Sequence, residues 1–138
     1  MNFTLKYPNK QFTQLVKLLF HGSKNVTSEQ IYQSDEGLDS RFSASGYYGQ
    51  GIYFADNSKY SHDYAKQIDP ANKTFEMFLV FVIVGNAVKL PQHDQSLRLP
   101  PLLPGEQINR YDAVMNGNGD HTIIYSNTRQ YPAFLITY

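Results

Sequence analysis

The chain has no cysteine, no tryptophan and no net charge, with 12 Lys and Arg against 12 Asp and Glu over 138 residues. Without a thiol there is no disulfide scaffold, no thiolate nucleophile and no cysteine zinc site, and no metal is expected. Only 17% of residues are charged. This argues against a surface that holds nucleic acid by clustering Lys and Arg on phosphates. The longest apolar run, 77–84, falls far short of the roughly 20 residues a membrane-spanning helix needs. The first ten residues show no basic start followed by an apolar stretch, so neither a leader nor a membrane span is expected. These features predict a single soluble domain over 1–138, most simply intracellular, in cytoplasm or nucleus.

Tyrosine and phenylalanine are abundant instead, 11 and 9 residues. Tyr47, Tyr48, Tyr53, Tyr60 and Tyr64 crowd into one segment with several glycines and serines. A phenol carries a flat apolar face and a polar tip, which suits a core edge or a pocket for a flat ligand.

Short β-branched or aromatic runs at 16–20, 52–55, 75–84, 113–115, 122–125 and 134–138 predict strands. Asn116-Gly117-Asn118-Gly119 predicts a hairpin. Thr27 with Gln30 makes a capping box, Val26 and Ile31 fill the staple positions, and Gly37 stands where a helix of about two turns would close. A second helix is expected from Asp56 as N-cap over 57–68, stopping before Pro70, with Ser61 and Tyr64 on one face. The four prolines of 91–104 predict a long surface loop reaching to about residue 107. The sum is a mixed α+β domain of mostly antiparallel strands, with too few helices for a parallel nucleotide fold. Gly46-Tyr47-Tyr48-Gly49-Gln50-Gly51 has the order G-x-x-G-x-G and leads into a strand, so it is not a dinucleotide fingerprint.

Three blocks then stand in a telling order: Phe20-His21-Gly22-Ser23, Gly49-Gln50-Gly51-Ile52-Tyr53-Phe54-Ala55-Asp56, and Lys59-Tyr60-Ser61-His62-Asp63-Tyr64. Together they resemble the catalytic domain of the poly(ADP-ribose) polymerase superfamily, the diphtheria-toxin-like ADP-ribosyltransferases. Ser34-Asp35-Glu36-Gly37-Leu38-Asp39-Ser40-Arg41, the run 78–85, Arg110-Tyr111-Asp112-Ala113-Val114 and Tyr131-Pro132-Ala133-Phe134-Leu135-Ile136 extend the likeness. The last two look like the mono-ADP-ribosyltransferase branch.

The resemblance implies a two-sheet ADP-ribosyltransferase fold with an N-terminal lead-in at 1–14 and a donor loop at 39–50. It implies NAD as substrate, a protein acceptor, less readily a nucleic-acid acceptor, and sensitivity to nicotinamide-like inhibitors. By the same resemblance, the Gly22 backbone and the Ser61 hydroxyl would hold the nicotinamide carboxamide, and Tyr53 and Tyr64 would flank its ring. His21 and Ser23 would meet the adenosine ribose, and Arg41 a phosphate or the adenine. A further ground for Gly22 is that a Cβ there would obstruct a ligand. His62, His93 and Asp63 have no such context and read as surface.

Polymerising members carry a glutamate at the start of the strand after the last hairpin, completing a His-Tyr-Glu triad. Aligned on Tyr125 and on Tyr131-Pro132, that position is His121, and the chain's four glutamates, Glu29, Glu36, Glu76 and Glu106, lie elsewhere. A neutral imidazole carries no charge to offset a ribosyl cation or to activate a growing ADP-ribose chain. The reading is therefore a mono-ADP-ribosyltransferase with catalytic residues His21, Tyr53 and His121. Its alternative is a catalytically silent module that binds NAD, ADP-ribose or a partner. Asp120 could supply the carboxylate only through a bulge, because adjacent strand residues face opposite ways.

Overall fold

The computed structural model describes residues 7–138, so the first part of the 1–14 lead-in lies outside the described residues. Its last part forms a one-turn helix, α1 (Phe12–Leu15), which runs straight into strand β1 (Val16–His21). The remaining elements are α2 (Ser28–Tyr32), β2 (Ile52–Ala55), α3 (Ser58–His62), β3 (Lys66–Asp69), β4 (Thr74–Ile83), β5 (Ala87–Leu90), β6 (Ala113–Asn116), β7 (His121–Ile124) and β8 (Gln130–Thr137), with short 3-10 turns at Ser40–Phe42 and Asn127–Arg129. Among the described residues, no helix is long and apolar enough to cross a membrane.

The mixed α+β architecture is as expected, and among the described residues every strand pair but one is antiparallel. The exception is β5 beside β6, in register at Ala87↔Ala113. The strands join in the order β3-β4-β1-β2-β7-β6-β5, with β8 on the other edge of β4. Two sheets were expected, and the hydrogen bonding instead runs through all eight strands. Its thin point is β1 against β2, where only Phe20↔Ala55 stay in register. Beyond that pair the strands part, and a cavity opens at the split.

Alternation along β4 shows how the core is made. Phe78, Val80 and Val82 are 2%, 0% and 0% exposed on one face, while Phe81 on the other is 43% exposed. Burying each such side chain is worth roughly 1.5–3 kcal/mol. Leu19, Ile52, Phe54, Ile124 and Ile31 of α2 belong to the same cluster. The hairpin between β6 and β7 forms at the Asn-Gly repeat, with Gly119 at φ 78.

Both helices differ from expectation. Thr27 caps α2 and the reciprocal bond to Gln30 is made, but the helix is five residues long, with Gln33 as its C-cap. Gly37, at φ 65, closes a separate turn by donating its N–H to the Ser34 carbonyl. Asn57, not Asp56, caps α3, its side chain accepting from the Tyr60 N–H. That helix ends at His62, and Lys66–Asp69 pairs with β4 as a strand instead of continuing it. A free strand edge at Thr74–Glu76 outweighed the weak helical pattern, as tertiary pairing commonly does.

The block 110–114 owes its character to structure. Asp112, 6% exposed, accepts from Arg129 Nη2 at 2.8 Å, from the Asn86 N–H at 2.8 Å and from the Tyr7 hydroxyl. A carboxylate so buried needs these partners to keep its charge.

Candidate active site

The cavity at the split holds about 670 Å³. His21 and Gly22 from the end of β1, Tyr53 and Phe54 from β2, and Tyr60, Ser61 and Tyr64 from α3 and its exit line one side. Val26, Gln30 and Ile31 around α2, Leu38 to Asp39 and Phe42 to Tyr47 line the other, and Gln95 of the proline-rich loop reaches in.

His21 closes the gap where the strands part. Its Nδ1 lies 2.7 Å from the Tyr53 carbonyl. A carbonyl can only accept, so Nδ1 carries the proton and Nε2 is left as an acceptor. Burial pushes the His21 pKa down from 6.5, and the bond to Tyr53 pulls it partly back. The side chain is therefore a neutral imidazole, suited to accept a hydroxyl.

Gly22 is required for a reason within the protein itself, besides the approach of a ligand. A Cβ there would come 2.4 Å from the Ser61 carbonyl oxygen and 2.5 Å from the Tyr64 carbonyl carbon. The residue is small because the turn after β1 lies against the main chain leaving α3, and this contact brings Gly22, Ser61 and Tyr64 to one wall. Ser61 is 3% exposed and Tyr64 43%. The two do not share a helix face, because Tyr64 stands beyond the helix end; both still line the cavity.

Much of the tyrosine cluster holds the glycine-rich loop. The Tyr53 hydroxyl donates to the Gly49 carbonyl at 2.7 Å and accepts from the Tyr48 N–H at 3.0 Å. The Tyr125 hydroxyl donates to the Tyr48 carbonyl at 2.6 Å, and the Tyr48 hydroxyl to the Leu90 carbonyl at 3.2 Å. The proline-rich loop joins in. Gln50 N–H donates to the Leu97 carbonyl and Asp94 N–H to the Tyr47 carbonyl, while His93 stacks on Tyr47 with ring centroids 4.4 Å apart. Burial pushes the phenols of Tyr53 and Tyr125 above their ordinary pKa, so both stay protonated as donors. His93 thus has a partner that its sequence context did not reveal. So has exposed His62, whose Nδ1 lies 2.6 Å from the Tyr138 hydroxyl.

Two expected site residues stand off the wall. Arg41 is 75% exposed and bonded to Asp39, Nε to Oδ2 at 2.8 Å. That guanidinium holds the Asp39 carboxyl down to about 2. His121 pairs with Ala55 across β7 and β2, and its ring lies 3.8 Å from that of Tyr60. Tyr60 lines the cavity, with its phenol pushed above the usual range chiefly by burial and then by Tyr64. His121 therefore meets the cavity by way of this ring. Asp120 accepts from Asn116 Nδ2 at 2.6 Å, and Asn116 Oδ1 in turn accepts from the His121 N–H at 3.0 Å. Sequence reasoning placed Tyr60 in the aromatic cluster but gave it no role at the site. Its position one residue before Ser61 and four before Tyr64 was the available signal. Asp39 opens the 39–50 loop that the resemblance sets over the ligand, whereas nothing in the sequence pointed to Gln95 as a lining residue.

A neutral histidine, a glycine main chain, a buried serine and several phenols thus line one cleft. The chain belongs to the poly(ADP-ribose) polymerase catalytic domain family, whose model matches residues 2–122. Among its relatives, a "Probable poly [ADP-ribose] polymerase" of Dictyostelium discoideum is 32% identical over 133 residues, 96% of this chain and 36% of that protein. The human "Protein mono-ADP-ribosyltransferase PARP12" is 33% identical over 124 residues, 87% of this chain and 16% of that protein, and the mouse protein of the same name matches equally. This chain thus spans about a third of the Dictyostelium relative and about a sixth of the PARP12 proteins.

Proposed function

We propose that the chain is an NAD-dependent mono-ADP-ribosyltransferase catalytic unit that moves one ADP-ribose to a protein side chain. The observation that carries this reading is that Gly22, Ser61, Tyr53, Tyr64 and neutral His21 line one cavity. These groups fit a dinucleotide. The Gly22 peptide and the Ser61 hydroxyl suit a carboxamide, the phenol faces suit a pyridinium ring, and His21 Nε2 suits a ribose hydroxyl, with Ser23 alongside.

In the reaction the bond between C1′ and the pyridinium nitrogen breaks. Its electron pair stays on the nitrogen, so nicotinamide leaves neutral. C1′ passes through cationic character and bonds to the acceptor, whose proton is lost to solvent or to a base that the acceptor site supplies. The chain's part is to fix the ring and the ribose in line for attack, which can supply several kcal/mol. Elongation needs a carboxylate beside the ribose. Here the homologous position is His121, and the carboxylate lining the cavity, Asp39, is already paired with Arg41.

Incubation with labelled NAD and mass spectrometry of the products tests the reading. Nicotinamide release with single ADP-ribose adducts is the expected result. Chains of two or more units would overturn the assignment to single transfer. A thermal shift with NAD but no nicotinamide release would favour a silent binding module, the reading that the missing carboxylate at His121 favours next.

A further inference from the structure

Lys24 lines the cavity, and nothing in the scheme above uses it. Its Nζ lies 5.2 Å from the centroid of the Tyr64 ring, within cation–π range. Its backbone is fixed: the Lys24 N–H donates to the Tyr64 carbonyl at 2.8 Å, and Lys66 Nζ donates to the Lys24 carbonyl at 3.3 Å. A flexible four-carbon stem therefore starts from a set point on the rim, with an ammonium free to choose its partner.

Among the described residues lining the cavity, Lys24 is the one lysine or arginine. Arg41, the cation the sequence offered for a phosphate, is outside the lining and bonded to Asp39. A dinucleotide entering this cavity brings two charged parts: a cationic pyridinium ring and, one ribose away, an anionic diphosphate. The pyridinium and the Lys24 ammonium compete for the Tyr64 ring and repel each other at that range. The diphosphate offers the displaced ammonium a stronger, charge-assisted contact.

Resting on the NAD reading above, we propose that Lys24 exchanges partners on binding, leaving Tyr64 to neutralise the diphosphate. It thereby selects the intact dinucleotide over free nicotinamide. Neutral nicotinamide still has to displace the ammonium from Tyr64 but gives it nothing in return.

This predicts effects of opposite sign from one substitution. Calorimetric titration of the 138-residue chain with NAD, ADP-ribose and nicotinamide, at low and high salt, reads them. Lys24→Ala should weaken NAD and ADP-ribose about tenfold at low salt, the scale of one charge-assisted contact. That loss should shrink as salt screens the charge, while nicotinamide binds as well as before or up to about threefold tighter once the cation–π contact is gone. Lys24→Arg should keep most of the NAD affinity. Lys89→Ala removes the same charge from β5, away from the cavity, and should leave all three ligands unchanged. The proposal is overturned by NAD binding equally to the wild type and Lys24→Ala at low salt. It is also overturned by nicotinamide weakening in step with NAD, which would mark a collapsed wall. Failure of the wild-type chain to bind any of the three would instead overturn the cavity reading beneath it.

Discussion

His21 donates from Nδ1 to the main-chain carbonyl of Tyr53 at 2.7 Å. The bond spans the point where β1 and β2 separate, so a side chain continues the ladder after the backbone pairing has stopped. One histidine therefore both holds the mouth of the cavity and presents a neutral acceptor inside it.

That arrangement makes stability depend on pH in a defined direction. Burial lowers the His21 pKa from 6.5, so below that pH the unfolded chain binds the extra proton and the folded chain does not. Stability should be fully present above about pH 6.5 and decline as the pH falls toward the lowered value. Thermal melts between pH 7.5 and 5 should show the midpoint falling, and His21→Gln should flatten that fall. An identical slope in the variant would refute the assignment. Asp39, lowered from 3.8 to about 2 by Arg41, acts in a separate window, its contribution lost only as the pH drops from near 3.8 toward 2.

Tyr53→Phe removes one hydroxyl and leaves two loop peptide groups, the Tyr48 N–H and the Gly49 carbonyl, without that partner. A loss of about 1–3 kcal/mol is expected where the groups stay dry. Limited proteolysis should cut within 46–49 faster in the variant, and KM for NAD should rise more than kcat falls. Unchanged cleavage in that loop would show that the phenol does not anchor it.

Gly49 and Gly105 separate two effects that glycine substitutions usually mix. Both have positive φ, 79 and 74. A Cβ on Gly49 would fall 1.9 Å from the Leu97 carbonyl oxygen, whereas one on Gly105 meets nothing within 4 Å. Gly105→Ala should cost about 1–2 kcal/mol from backbone strain alone. Gly49→Ala should cost that plus at least about 2 kcal/mol for displacing the proline-rich loop. Denaturant melts of both variants give the comparison, and equal losses would mean that the two loops are not in contact.

Thr122 is fully buried, and its Oγ1 has no hydrogen-bond partner among the described residues. Thr122→Val keeps the shape and removes the unsatisfied group, which should stabilise the fold by about 1 kcal/mol. Thermal denaturation should show a midpoint about 3 °C higher. A lower midpoint would mean that the hydroxyl is satisfied after all.

The strands were readable because their signal is local. The run 52–55 coincides with β2, and 16–20 and 75–84 fall within a residue or so of β1 and β4. The hairpin formed at its Asn-Gly repeat for the same reason. The expected helix over 57–68 takes in 66–68, because nothing near them in sequence announces the open edge of β4 with which Lys66–Asp69 pairs. Five residues of helix in place of two turns after Thr27 is the same failure at a stop signal: the cap is local, while the end was set by packing.

By itself, the order of residues determined that a histidine and glycine would end one strand, that a Gly-x-Gly turn would lead into Tyr53, and that Ser61 and Tyr64 would stand close together. Only the folded chain decided which of these face one another. It turned Arg41 outward onto Asp39, set Tyr60 between His121 and the cavity, and brought Lys24 to the Tyr64 ring. It also gave Gly22 its reason, the close approach of a main chain about 40 residues away. Strand propensity and capping act over a few residues. The direction a side chain takes at the rim of a cleft depends on charges and main chain contributed by segments far apart in sequence, and no local pattern encodes those partners.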